Sequence, residues 1–312
     1  MTCGKARNAG AIEGMTMEES WIDVGGVRTR YLTVGQGGRP VVFVHGGTIG
    51  DASAGSSAND FGSILPLVGQ SRETIALDRI GQGYTGNPLD GDDEGWTMAG
   101  SVRHFIAFLE KLGRGPYHLV GHSRGGYVVT RTTLERPDLV ESLTIGDSNT
   151  VAPGGARNEA IHIRNPHPPG TREAMEFTAR HYYFDPAVKA DGGFEKELEI
   201  LSQPKIREAI RTMGEGGLRV RRYLPGLLAD REDLFMRLEH QPLARRVLIL
   251  WAYNDPTAPI SMGYQLLRLV SKHQPRVSMH VVNQSGHSLY RERPQQFIRA
   301  LKDHLDGCYD GN

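Results

Sequence analysis

Three chemically useful side chains stand far apart in this chain, each just beyond a run of apolar residues. Ser123 sits in Gly121-His122-Ser123-Arg124-Gly125, directly after the apolar run Tyr117 to Val120. A serine between glycines where a strand hands over to a helix is the pattern of a nucleophile elbow, and the glycines remove β-carbons that would collide in so sharp a bend. A serine hydroxyl is a weak nucleophile at neutral pH, so it needs a base for its proton and an acid to hold that base in one tautomer. His287 follows the run Val277 to Val282, and Asp255 follows Val247 to Trp251. Asp147 ends another strand-like segment, Leu143 to Ile145, and is the alternative orienter of His287.

A tetrahedral intermediate places negative charge on oxygen, and fixed backbone N–H groups suffice to receive it. Arg124, next after the serine, supplies one N–H; Gly47 or Thr48, in the loop His45-Gly46-Gly47-Thr48, supplies the other.

The elements that must position these groups are legible from periodicity. Trp21 to Val24 and Val27 to Val34 alternate around Gly25-Gly26 and predict a hairpin. Val41 to Val44 and Thr74 to Leu77 are short unbroken apolar runs, as buried central strands require. Thr97 predicts the cap of a helix reaching Leu112, and Pro294 to Leu305 a final amphipathic helix. Strand and helix alternate, which predicts an α/β fold with a mostly parallel central sheet flanked by helices. Strand signals disappear from about Ala152 to Gln241, where helical segments alternate with turns such as Pro168-Pro169-Gly170. The expected organisation is a core over 19–151 and 242–307, an inserted helical cap over 152–241, and a disordered extension over 1–18.

Composition narrows the function classes. Lysine plus arginine equals aspartate plus glutamate at 36 each among 312 residues, so no global field draws nucleic acid or an anionic membrane, and a small-molecule substrate is the expected partner. Assembly as a homo-oligomer is left open. The only cysteines, Cys3 and Cys308, lie at opposite ends and predict no disulfide framework. With no signal-like apolar segment near the start and no membrane-length run, a soluble cytoplasmic protein is expected.

One glycine-rich motif is a decoy. Gly81-Gln82-Gly83-Tyr84-Thr85-Gly86 matches a dinucleotide fingerprint, but Asn87-Pro88 stand where the phosphate-binding helix should begin. It reads instead as a tight loop at the active-site rim, with Asp78 and Arg79 as a local ion pair. No cluster has metal-ligand spacing, so neither a metal nor another cofactor is expected.

With these residues in view, the chain resembles the α/β-hydrolase superfamily from about Trp21 onward, and within it the meta-cleavage-product hydrolases, which cut a carbon–carbon bond in ring-fission products of aromatic compounds. The order Ser123, Asp255, His287 is that of α/β-hydrolase triads. Further matches are His45-Gly46-Gly47 with Gly50, Asn59, Asp78 to Pro88, Glu135-Arg136-Pro137-Asp138, Trp251 to Asp255 with Pro259, and Gly286-His287. The resemblance implies an α/β-hydrolase fold with an inserted helical cap, and a substrate of the 2-hydroxy-6-oxohexa-2,4-dienoate type. His287 would first help move a proton on the dienol, and Ser123 would act as nucleophile or water activator. It implies substrate contacts at Gly46, Asn59, His122, Lys196 and Ser288. Of these, His122 stands where relatives often carry asparagine, Ser288 where they carry tryptophan, and Lys196 in place of a cap arginine that meets the substrate carboxylate. A lysine there keeps the charge but loses the bidentate fork.

The alternative activity is hydrolysis of a carboxylic ester or lactone, which the same triad serves. A different class of reading is a ligand sensor that retains a hydrolase pocket. Epoxide hydrolases and haloalkane dehalogenases resemble the chain less, since their elbow nucleophile is aspartate.

Overall fold

The computed structural model describes residues 15–189 and 192–307. Eight strands form one sheet in the order β1-β2-β4-β3-β5-β6-β7-β8. They are β1 (Glu18–Val24), β2 (Val27–Val34), β3 (Val41–Val44), β4 (Thr74–Leu77), β5 (Tyr117–His122), β6 (Val140–Gly146), β7 (Val247–Ala252) and β8 (Val277–Val282). The β1–β2 hairpin turns at Gly25 and Gly26, whose φ values of 60° and 88° suit a two-residue turn. β2 also runs antiparallel to β4, and every later pairing is parallel.

Parallel neighbours require crossovers, and helices supply them. In chain order these are α1 (Leu65–Gly69), α2 (Met98–Leu112), α3 (Arg124–Glu135), α4 (Asn158–Arg164), α5 (Arg172–Tyr182), α6 (Gly193–Ser202), α7 (Pro204–Met213), α8 (Leu224–His240), α9 (Ile260–Val270), α10 (Leu289–Glu292) and α11 (Pro294–Leu305). The Thr97 hydroxyl accepts from the Gly100 N–H at 3.1 Å and sets the start of α2.

Alternation within β3 explains why the sheet is apolar on both faces. Val42 and Val44 join the cluster built with Phe105, Phe108 and Val128, while Val41 and Phe43 join Phe61, Leu65 and Leu301 on the other side. Each large side chain taken fully out of water there contributes about 1.5–3 kcal/mol. Between β6 and β7 the chain leaves the sheet for helices α4 to α8. This excursion carries a small apolar cluster of its own, built from Met175, Ala179, Phe194, Ile200, Leu201 and Ile206.

One expectation needs correction. The extension over 1–18 was expected to lack structure; residues 1–14 lie outside the described residues, but Glu18 opens β1 and Met15 packs against the core. The pairing of β1 with β2 draws its first residue in at Thr33. Cys3 and Cys308 also lie outside the described residues. Among the described residues, no helix is long and apolar enough to cross a membrane.

Candidate active site

β5 is buried along its whole length and ends against Ser123, whose φ of 54° and ψ of −125° are unusual for a residue with a side chain. Such backbone costs on the order of 1–3 kcal/mol and persists only where its surroundings hold it. Here the Ser123 N–H donates to the Gly146 carbonyl at 2.9 Å, and the Ser148 hydroxyl donates to the Ser123 carbonyl at 2.5 Å. The glycines answer to close approach: a β-carbon on Gly125 would lie 2.0 Å from the Val44 oxygen, and one on Gly121 would lie 2.4 Å from the Gly125 oxygen.

β7 and β8 end on the same side of the sheet and deliver the other two groups. His287 Nδ1 lies 2.7 Å from Asp255 Oδ2, and its Nε2 lies 3.1 Å from Ser123 Oγ. Asp255 accepts at Oδ1 from the Thr257 N–H, the Thr257 hydroxyl and the Ala258 N–H, at 2.7, 2.8 and 3.0 Å. A carboxylate so held keeps a fixed orientation, donates nothing, and requires the proton on Nδ1; Nε2 is then free to accept from the serine.

Asp147, the alternative orienter, does something else. Its Oδ1 accepts from the Ala252 N–H at 2.7 Å, and burial, with the neighbouring Asp255 charge, holds its carboxyl well above the usual carboxylate range. His122 is also buried. Burial and the neighbouring His287 keep it well below its ordinary pKa, and its Nε2 donates to the His287 carbonyl at 2.6 Å.

The loop after β3 faces the serine. A β-carbon on Gly46 would fall 2.9 Å from Ser123 Cβ. Arg79 Nη1 donates to the Gly46 and Gly47 carbonyls at 3.2 and 3.0 Å, and His45 Nδ1 donates to the Gly46 carbonyl at 2.9 Å. Because a trans peptide points its N–H opposite its C=O, these bonds turn the Gly47 and Thr48 N–H groups away from Arg79, and both residues line the cavity over Ser123. His45 accepts the Arg79 N–H at Nε2, at 3.0 Å, which demands a neutral ring; burial, then the Arg79 charge, push its pKa down to about 3. The expected Asp78–Arg79 ion pair does not form. Asp78 pairs with Arg30 at 3.2 Å instead, while Arg79 turns to the glycine loop.

Gly46, Gly47, Thr48, His122, Arg124 and Ser288 all line the cavity. Two suggested contacts do not. Asn59 accepts from Arg30 Nη2 at 3.3 Å, and Lys196 points outward to bond Glu199 at 2.9 Å, with its ammonium 5.1 Å from the Tyr84 ring. Successive helical residues lie about 100° apart, so on α6 the inward position falls to Glu197, which is 7% exposed. Sequence reasoning missed Asp60, Lys189, Glu197, Arg219 and Arg291 on the cavity wall, and no spacing signal marks them. Among the described residues no cluster of His, Cys, Asp or Glu is disposed to hold a metal ion.

The family model described as "Alpha/beta hydrolase family" matches residues 41–300. The 2-hydroxy-6-oxo-2,4-heptadienoate hydrolase of Pseudomonas putida is 26% identical over 287 residues, covering 90% of this chain and 94% of the relative. The 2-hydroxy-6-oxo-6-(2'-aminophenyl)hexa-2,4-dienoic acid hydrolase of Metapseudomonas resinovorans is 26% identical over 295 residues, covering 92% and 90%. Among solved structures, the meta-cleavage product hydrolase of Pseudomonas fluorescens aligns with a TM-score of 0.74 at 22% identity, over 93% of this chain and 98% of that one, which speaks to the fold.

Proposed function

Because the chain belongs to the α/β-hydrolase family, we propose that it is a serine-type hydrolase cleaving a carbon–carbon bond in a 2-hydroxy-6-oxohexa-2,4-dienoate-type ring-fission product. The observation that carries this reading is the relay of Asp255, His287 and Ser123 beneath a cavity that Arg219 also lines. Helices α4 to α8 act as the cap, and the substrate is a small molecule. His287 moves a proton on the dienol to give the keto form. Ser123, or water it activates, then adds to the remote carbonyl while His287 takes the hydroxyl proton. The N–H groups of Arg124 and of Gly47 or Thr48 receive the oxyanion. On collapse the carbon–carbon bond breaks, and its electron pair passes into the enolate of the diene fragment; water completes the acid product.

Arg219 takes the place foreseen for Lys196 as partner of the substrate carboxylate. It lies on a π-helical turn, Arg219–Tyr223, and its Nη2 bonds the Gly50 carbonyl at 3.0 Å, beside the glycine loop. The second reading, hydrolysis of a carboxylic ester or lactone, is favoured by a specific feature: two cations of the cavity, Arg291 and Lys189, are already engaged by Asp60 and Glu197, and an uncharged substrate needs neither. The test is turnover of a ring-fission dienoate against a short aryl ester, with Ser123→Ala as control. Preferential loss of the dienoate chromophore supports carbon–carbon cleavage, and ester turnover alone supports the second reading.

A further inference from the structure

Helix α8 buries one face and leaves the other uncovered. Leu234 and Leu238 lie in the core, as an amphipathic helix requires. The opposite face should then be polar, yet it carries an apolar row that starts on the π-helical turn leading into α8: Val220 is 70% exposed, Leu228 63% and Met236 60%, with Leu224 exposed between the first two. A contiguous apolar row in water marks an interaction surface, where scattered single residues would not. Charge is divided along it. Arg221 and Arg222 are exposed at its start, and Glu232 and Asp233 are exposed past its middle.

We propose that this face is the two-fold interface of a homodimer, in which α8 packs antiparallel on α8 of a second copy about Leu228. Leu228 stands eight residues from both Val220 and Met236, so a register centred on it sets Val220 of one copy against the partner's Met236, and the reverse. The same register brings Arg221, seven residues before the centre, beside the partner's Glu232, four residues beyond it. At 1.5 Å per residue the offset is about 5 Å along the axis, within the reach of an arginine side chain. The ion pair forms twice, since a two-fold axis repeats every contact. Antiparallel helices also set opposite dipole ends side by side. An anionic membrane suits this face less, because Glu232 and Asp233 stand on it and the chain carries 36 residues of each sign. One helix face lies at the low end of stable interfaces, so the dimer dissociates in the micromolar range. The interface is independent of which bond the enzyme cuts.

Sedimentation velocity on the full chain, from about 1 to about 300 µM, is expected to show monomer passing reversibly into dimer. Leu228→Arg sets like charges face to face at the axis and is expected to leave only monomer over that range, with the melting temperature unchanged because the side chain is exposed. Arg221→Glu and Glu232→Arg are each expected to weaken the dimer about tenfold, and the double variant, which exchanges the two charges, to restore it. If Leu228→Arg does not fold, the Arg221 and Glu232 series, confined to exposed side chains, carries the same decision. Monomer at every concentration, a dimer that survives Leu228→Arg, or a double variant no tighter than either single one overturns the proposal. Binding to vesicles of anionic phospholipid without self-association overturns it too, and assigns the face to a lipid surface.

Discussion

The Glu292 carboxylate accepts the Gly286 N–H at 2.8 Å, one residue before His287, and so fastens the histidine loop to α10. Its other oxygen accepts the Phe184 and Asp185 N–H groups at 2.8 and 3.0 Å, beyond the end of α5. His287 completes the tie by donating its own N–H to the Tyr182 carbonyl at 2.8 Å. The helical excursion and the imidazole are thus anchored to one side chain.

Glu292→Ala removes that anchor. Each buried N–H left without a partner costs about 1–3 kcal/mol, and a displaced imidazole is expected to slow the serine about a hundredfold. The rate of fluorophosphonate labelling at Ser123, read beside a thermal melt, checks this. Unchanged labelling in a folded but less stable variant would show that Glu292 only stabilises the fold.

The two buried carboxylates should separate cleanly. Asp255→Asn presents the wrong group to His287 Nδ1 and is expected to lower kcat by about 10⁴-fold. Asp147→Asn keeps an oxygen for the Ala252 N–H and should lower kcat less than about tenfold. The sign for stability also differs. The Asp147 carboxyl titrates well above its unfolded value, so ionising it opposes folding as pH rises, and the asparagine variant should gain stability relative to the parent at high pH. Denaturant melts across pH, with kcat for both variants, decide it.

Steric limits at the elbow give a third expectation. A β-carbon on Gly46 would lie 2.9 Å from Ser123 Cβ, against a backbone held by Arg79. Gly46→Ala should therefore keep the fold and lose about a hundredfold in kcat. Gly125→Ala, whose β-carbon would lie 2.0 Å from the Val44 oxygen, should instead cost about 3 kcal/mol or more of stability. Equal effects of the two on activity and melting would contradict this division.

Acid sensitivity is the fourth. Burial pushes His104 down to about 4, and its Nε2 lies 3.0 Å from the Thr29 hydroxyl. Its folded pKa is below its unfolded one, so the unfolded chain binds the proton first. Stability is complete above pH 6.5 and is lost as pH falls towards 4. From pH 7 to pH 5 this single group should cost about 2 kcal/mol. His104→Gln should shrink the loss over that interval by the same amount, measured by urea unfolding at both pH values. His45 and His118, each pushed down to about 3, keep the rest of the acid loss in place.

Much of the scaffold was present in local pattern. Val41–Val44 and Val277–Val282 are strands with the bounds their apolar runs suggest, and Pro294–Leu305 is the helix its periodicity suggests. Burial on one or both faces leaves its mark in consecutive residues, and the elbow leaves its mark in glycines that nothing larger can replace. Ser123, Asp255 and His287 were legible for the same reason: each follows a strand end, and the strands of a parallel sheet bring their ends to one edge.

Side-chain direction within a loop or a short helix leaves no such trace. Arg79 and Asp78 are neighbours in sequence, yet one anchors the glycine loop and the other pairs with Arg30 across the sheet. Lys196 and Glu197 are neighbours on α6, and only packing decided that Glu197 lines the cavity and pairs with Lys189 while Lys196 turns outward to Glu199. Sequence alone determined the fold and which strand ends carry Ser123, Asp255 and His287, because short-range periodicity and steric necessity encode them. The tertiary structure alone decided the character of the cavity wall, because that depends on which residues distant in the chain compete for the same buried space.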